Sequence, residues 1–233
     1  MSITIRPARE RGHADHGWLD TWHTFSFADY YDHRHMGFRS LRVINDDRVT
    51  PGEGFGTHPH QNMEIFTYVV EGALAHKDSM GHASTIKAGE VQKITAGRGI
   101  THSEFNASDK QPVHLYQIWI QPDKNGLVPS YKEVALPEPD PEVPLFLIGA
   151  PPGKGGLVDF HQDVLIFRGV LTKGQKVPYA IKPGRGLWVQ IVKGCVRIGE
   201  HSLRAGDGAS LEAAAEIMVM AAEPAEFLLF DLA

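Results

Sequence analysis

Two pairs of side chains in this sequence have the types and spacing of metal donors. His58-Pro59-His60 sets two imidazoles two residues apart, and His102-Ser103-Glu104 sets an imidazole and a carboxylate at the same interval. On a β-strand, residues i and i+2 project from the same face. Two adjacent strands carrying these pairs therefore aim four donors into one interior. Imidazole with carboxylate suits iron, manganese, nickel, copper or zinc. Four protein donors on an octahedral ion leave one or two positions open to substrate, water or dioxygen. Spacing alone points to a metal site and is silent on its reaction.

The chain has 13 histidines, and context separates the two pairs from the others. His33-Arg34-His35 repeats the i, i+2 interval, but beside Tyr30-Tyr31-Asp32 it reads as a loop with no second pair. His76, His82, His114 and His161 have no partner pattern and read as surface or satisfied core residues. Cys195 is the one cysteine, so no disulfide framework exists within the chain. It reads as a buried structural thiol.

The elements that must position these donors are short. Runs such as residues 65–70, 114–120, 187–192, 216–220 and 227–230 are strand-length, rich in β-branched and aromatic residues, and bounded by turn formers. Helical periodicity is scarce. Many short strands with frequent turns predict a barrel or sandwich. Four prolines in residues 137–144 mark a linker. The reading is an N-terminal barrel over 1–136 with the metal site, a linker over 137–144, and a C-terminal barrel over 145–233. An internal repeat supports two related halves. Val70-Glu71-Gly72 and Ala88-Gly89-Glu90 in the first half answer to Val192-Lys193-Gly194 and Ala205-Gly206-Asp207 in the second. Counting from these glycines, the second-half counterparts of the donors fall near Ala180, Lys182, Val219 and Ala221. None replaces a His/Glu set, so the second barrel is expected to hold no metal.

Hydrophobic residues at 42% and charged residues at 22% are ordinary for a globular chain long enough to bury one or two cores. A net charge of -5 argues against a phosphate-binding face and so against direct nucleic-acid binding. No signal-peptide pattern or membrane-length apolar run is present, which makes a cytoplasmic location the expectation.

The surroundings of the donors carry a resemblance. Gly52 to Glu64 and Gly89 to Asn106 are similar to the two cupin motifs, with Thr95 in place of the usual proline and two extra residues before His102. Those departures, together with Thr24–Tyr31, Arg42–Asp47, Gly56–His60, Asp78–Gly81 and Gly97–Glu104, resemble the pirin family, most of all its bacterial quercetin 2,3-dioxygenase-like members. The resemblance implies an all-β bicupin fold of two jelly-roll-type barrels in tandem. It also implies one divalent transition metal per chain, iron first, with manganese, nickel, copper or zinc as alternatives, held by His58, His60, His102 and Glu104. In many other cupins the ligand is instead the Glu after His-x-His, here Glu64. The pirin pattern favours Glu104, leaving Glu64 as a hydrogen-bonded neighbour.

For function, the resemblance implies cleavage of quercetin or a similar flavonol or aromatic enol with dioxygen and loss of carbon monoxide, with Glu104 as the catalytic base. Phe25, Phe27, Phe55 and Phe105 are candidates to wall an aromatic pocket. The expected partners are a small aromatic substrate and dioxygen, with no direct nucleic acid and no membrane, for a monomeric chain. The alternative is a non-enzymatic, metal-binding pirin-type regulator acting through a protein partner. A third reading is another cupin enzyme, such as an isomerase.

Overall fold

The structure is a computed structural model and describes residues 2–233; Met1 lies outside the described residues. The chain folds almost wholly into antiparallel strands, with one short 3-10 turn at Ala8–Glu10 and no α-helix among the described residues. Among the described residues, no helix is long and apolar enough to cross a membrane.

Strand contacts group the chain into two compact units. One contains residues 12–137 and 160–162, and the other contains residues up to 11, 138–159 and 163–233. The division differs at two places from the 1–136 and 145–233 barrels read from the sequence. Residues 2–6 pair antiparallel with Gly208–Glu212, so the first strand joins the sheet of the C-terminal unit. Residues 160–162 return to the N-terminal unit, where the Asp123 amide donates to the His161 carbonyl at 2.7 Å.

Each unit consists of a seven-stranded and a four-stranded sheet. In the N-terminal unit the four-stranded order is Gly54–His60, Ile100–Asn106, Ala73–Asp78, Ala83–Lys87. The seven-stranded order is Ser130–Ala135, Glu90–Thr95, Glu64–Glu71, Val113–Ile120, Leu41–Val49, Leu19–His23, Gly12–Asp15. The C-terminal unit repeats this scheme. Its small sheet runs Lys176–Ala180, Glu216–Ala221, Cys195–Ile198, His201–Arg204. Its large sheet begins Ser2–Arg6, Gly208–Glu212, Gly186–Lys193, Ala225–Leu232, Val164–Leu171. Gly72 and Gly194 make the same turn in each, at φ +77° and +74°. At both, a Cβ would run into the carbonyl of a proline, Pro112 or Pro224.

The two interiors differ. In the N-terminal unit one apolar cluster gathers around Leu19, Val69, Leu74 and Leu115 and another around Ile65, Ile94 and Ile100. Along the strands that join them the inward residue is polar: Thr67 between Ile65 and Val69, Gln117 between Leu115 and Trp119, His102 and Glu104 beyond Ile100. In the C-terminal unit one cluster runs without a break through the corresponding strands, from Val177 and Ile181 to Val189, Ala209, Ile217, Val219 and Leu229. Register from the paired glycines sets Val189 in place of Thr67, Ala209 in place of Gln92 and Leu229 in place of Gln117. The donor positions become Tyr179 for His58, Ile181 for His60, Ile217 for His102 and Val219 for Glu104. The positions counted from sequence were displaced by one at Ala180 and Lys182, because Gly186 follows Ile181 by one position more than Glu64 follows His60, and by two at Val219 and Ala221, because Ile217 follows Gly206 by two positions fewer than His102 follows Gly89. Apart from the Tyr179 hydroxyl, apolar residues have replaced this polar layer.

Candidate metal centre

The Gly54–His60 and Ile100–Asn106 strands lie side by side, with His102 directly across from His58. Alternation along each strand turns His58, His60, His102 and Glu104 to the interior. A β-bulge between His102 and Glu104 offsets the carboxylate from the first strand. The donor atoms of His58, His60 and His102 lie within 4.8 Å of one another. Glu104 falls in a second group, with His102 and His76, bounded by the same distance. The structure thus brings His58, His60 and His102 together, and Glu104 joins them through its nearness to His102.

The state of these groups follows from burial. His102 is 1% exposed, and neither of its ring nitrogens has a partner. Burial, with His58, His60 and His76 close by, pushes its pKa down to about 3. Burial and His58 push His60 down to about 4. Both rings are neutral near pH 7 and keep a lone pair for a cation. His58 Nδ1 lies 2.8 Å from the Gly56 carbonyl, which fixes the proton there and leaves Nε2 as donor. Burial raises Glu104 to about 7 despite hydrogen bonds from Gln92 and Gln117. Buried polar groups without partners are costly, and three converging imidazoles beside a carboxylate fit a divalent transition metal. The donors available to hold one are His58, His60, His102 and Glu104.

Glu64 is wholly buried but projects from the opposite face of its strand to Thr67, where it meets Lys93 and the His161 amide. It is not among the residues of either donor group. His35 is engaged by Asp32, His114 by Asp46 and His82 by Asp78. Cys195 is free and buried.

Of the four phenylalanines, two stand near the triad. Phe55 lies 6.4 Å from His58, and Phe27 packs edge-on to Trp119 at 5.3 Å. Phe25 is core and Phe105 is turned to solvent. Trp119, which sequence reading passed over, lies 5.0 Å from His60, and its buried Nε1 has no partner. A cavity of about 590 Å³ opens beside His60, lined by Pro59, Gln61, Ser79, Arg98 and Thr101.

Comparison with known proteins agrees with this architecture. Residues 4–120 match the family model Pirin, and residues 147–232 match the model of the quercetinase C-terminal cupin domain. The chain is 47% identical over 230 residues to a quercetin 2,3-dioxygenase of Escherichia coli K12, covering 99% of this chain and 98% of that protein. It is 36% identical to a pirin-like protein of Caulobacter vibrioides, covering 99% and 100%. The crystal structure of the bacterial pirin YhhW of Escherichia coli in complex with nickel(II) superposes with a TM-score of 0.94 at 46% identity, covering 99% of both chains. With its two cupin units and matches along nearly its whole length, the chain belongs to the pirin family.

Proposed function

We propose that this pirin is a metal-dependent dioxygenase that cleaves quercetin or a similar flavonol with dioxygen and releases carbon monoxide, and that His58, His60, His102 and Glu104 are its metal ligands. The observation that carries the reading is the convergence of three imidazoles, one of them fully buried, beside the buried Glu104 carboxylate, next to Trp119 and Phe27. The relative named quercetin 2,3-dioxygenase and the nickel(II) complex of YhhW support the substrate and the cofactor.

A bound divalent metal would supply Lewis acidity, lowering the pKa of a coordinated hydroxyl. The protein's share is positional and acid–base. Burial raises Glu104 to about 7 with no cation beside it, a bound cation would favour its ionised form, and the ionised carboxylate is placed to take the hydroxyl proton. Gln92 and Gln117 each donate to one of its oxygens and hold the carboxylate in place. Trp119 and Phe27 offer apolar faces to a flat aromatic ligand, and the free Trp119 N–H offers it one hydrogen bond. The deprotonated flavonol, richer in electrons, reacts with dioxygen, and its ring opens with loss of carbon monoxide.

The test is oxygen uptake and trapped carbon monoxide with quercetin, using protein loaded with iron, nickel, manganese or copper. A His58→Ala/His60→Ala protein matched for total metal controls for flavonol oxidation by free ions. Equal rates in the two proteins, or no carbon monoxide, would sink the proposal and move the reading to a regulator that works through a protein partner.

A further inference from the structure

Arg98 stands at the rim of the cavity beside His60, on a turn whose backbone is fixed. Gly97 at φ +47° and Gly99 at φ +135° flank it. A Cβ on Gly97 would run into the Leu127 carbonyl, so glycine is the residue that fits there. The Arg98 amide donates to that same carbonyl at 2.9 Å, and the Arg98 carbonyl accepts Gln61 Nε2 at 3.3 Å. The Asn62 amide donates to the Gly97 carbonyl at 2.8 Å, which ties the turn to the chain just beyond His60. The guanidinium is in a different state. Arg98 is exposed, and its side chain bonds to nothing among the described residues.

Arginines that serve the fold are tied down. Arg42 donates to the Ser26 carbonyl at 2.8 Å, and Arg168 pairs with Glu226 at 2.9 Å. Arg98 has no such task, and no acidic residue lines the cavity to neutralise it. The carboxylate next in sequence to that lining, Asp78, is already engaged. Its Oδ1 accepts the amides of Met80 and His82, and its Oδ2 faces the rings of His76 and His82. Ser79 Oγ accepts the Thr101 amide at 3.1 Å and keeps its own O–H to donate into the cavity. The chain as a whole carries a net charge of -5, so an opening with a cation and no carboxylate runs against its average. An uncompensated cation at the entrance of a cleft attracts anions and discriminates against neutral ligands.

We propose that Arg98 is the specificity residue of the site, and that the ligand it selects is an aromatic enol bearing a carboxylate remote from its chelating oxygens. The enol end enters beside His60. The carboxylate stays at the rim, where the guanidinium meets it with two parallel N–H bonds and Ser79 offers an O–H. The inference names the substrate class of the flavonol-binding reading and rests on that reading, but not on the reaction with dioxygen.

The test uses full-length protein loaded with Ni(II) and kept free of oxygen, so that ligands bind without turnover. The probes are 3-hydroxyflavone and 3-hydroxyflavone-4′-carboxylate, which share their chelating oxygens. The change in flavonol absorption on binding gives each affinity. The ratio of the two affinities is taken in wild type and in Arg98→Gln, so that attraction of the anion by the metal itself cancels. Arg98→Gln is expected to lower the preference for the carboxylate by roughly tenfold, the worth of a charge-assisted bond discounted for exposure. Arg98→Lys should keep part of the preference, because an ammonium retains the charge but not the fork. Added salt should narrow the preference in wild type more than in Arg98→Gln. The Arg98 side chain holds nothing in the fold, so both variants should retain their metal and circular dichroism. A ratio that does not fall in Arg98→Gln overturns the proposal. If wild type binds neither probe, the flavonol reading falls and takes this one with it. If both probes bind with the expected ratio but oxygen yields no carbon monoxide, the dioxygenase reading alone falls.

Discussion

The Glu64 carboxylate meets the Lys93 ammonium at 2.6 Å, with both side chains out of water. The pair lies on the opposite face of the sheet from Thr67 and Gln92, so the glutamate that follows His-x-His is committed to a cation of the protein itself. Removing one partner of a buried pair strands the other, at roughly 3–5 kcal/mol. Glu64→Gln is therefore expected to lower stability by about that amount while leaving the spectrum of bound Co(II) unchanged. Glu104→Gln is expected to change the spectrum. Denaturant titration and cobalt absorption of both variants check this, and the reverse ranking would assign the metal to Glu64.

One equivalent of tightly held metal per chain is expected, all of it in the N-terminal unit. Ile181, Ile217 and Val219 occupy the counterpart positions in the C-terminal unit and are packed in its core, leaving only the Tyr179 hydroxyl, which donates to Asp231 at 2.6 Å. Metal analysis after dialysis should give one ion per wild-type chain and substantially less for His102→Ala. Two ions per chain would refute it.

How far the sequence reveals this arrangement depends on whether the signal is local. His58-x-His60 and His102-x-Glu104 announce themselves because each pair is complete within three residues of a glycine-marked strand. His76-x-Asp78 has the same interval but combines the two residue types in a strand with no motif around it, so only its pairing with Ile100–Asn106 sets it across from Glu104 and His102. Trp119 is missed for the same reason: its approach to His60 links residues 59 positions apart. The two halves are readable from Gly72 and Gly194, whereas the departure of residues 2–6 to the other unit is a long-range pairing that no nearby residue encodes.

Where the N-terminal unit places Trp119, the C-terminal unit places Asp231, bonded to Tyr179 and to Arg185, which also reaches Asp163 at 2.9 Å. Asp231 is 3% exposed, so Asp231→Ala leaves a partly buried guanidinium with one carboxylate instead of two. The expected loss is roughly 3 kcal/mol, the low end for breaking a buried pair because Asp163 remains. Urea unfolding of the metal-free chain measures it. Metal content should be untouched, since the network belongs to the unit without the donors.

Asp47 gives a pH dependence of unusual sign. Burial, with Asp46 and Asp20 adding to it, raises its pKa from 3.8 to about 7. Between those values the folded chain binds a proton that the unfolded chain has released, so stability is highest below 3.8 and falls as pH rises through about 7. The displacement corresponds to on the order of 4 kcal/mol above that range. Asp47→Asn, which cannot ionise, should match wild type near pH 4 and unfold at higher temperature at pH 8. Thermal melts at the two pH values check this; a gap that does not grow with pH would show that Asp47 stays ionised in the fold.

The last expectation concerns Glu104 as a base. Its carboxylate is 2% exposed and receives Gln92 on one oxygen and Gln117 on the other, so its position is set before any ligand arrives. Glu104→Gln keeps the shape but cannot take a proton. General-base assistance is typically worth about 10²–10⁴-fold, so quercetin turnover per bound metal should fall by that factor. Gln117→Leu removes one of the two donors that hold the carboxylate, and burial then raises its pKa further. The acidic limb of the activity–pH profile should move to higher pH in Gln117→Leu, while its plateau stays within about tenfold of wild type. Rates expressed per bound metal separate loss of the base from loss of the ion. If Glu104→Gln turns over quercetin at the wild-type rate with its metal retained, proton transfer at this carboxylate is not part of the reaction, whatever holds the ion.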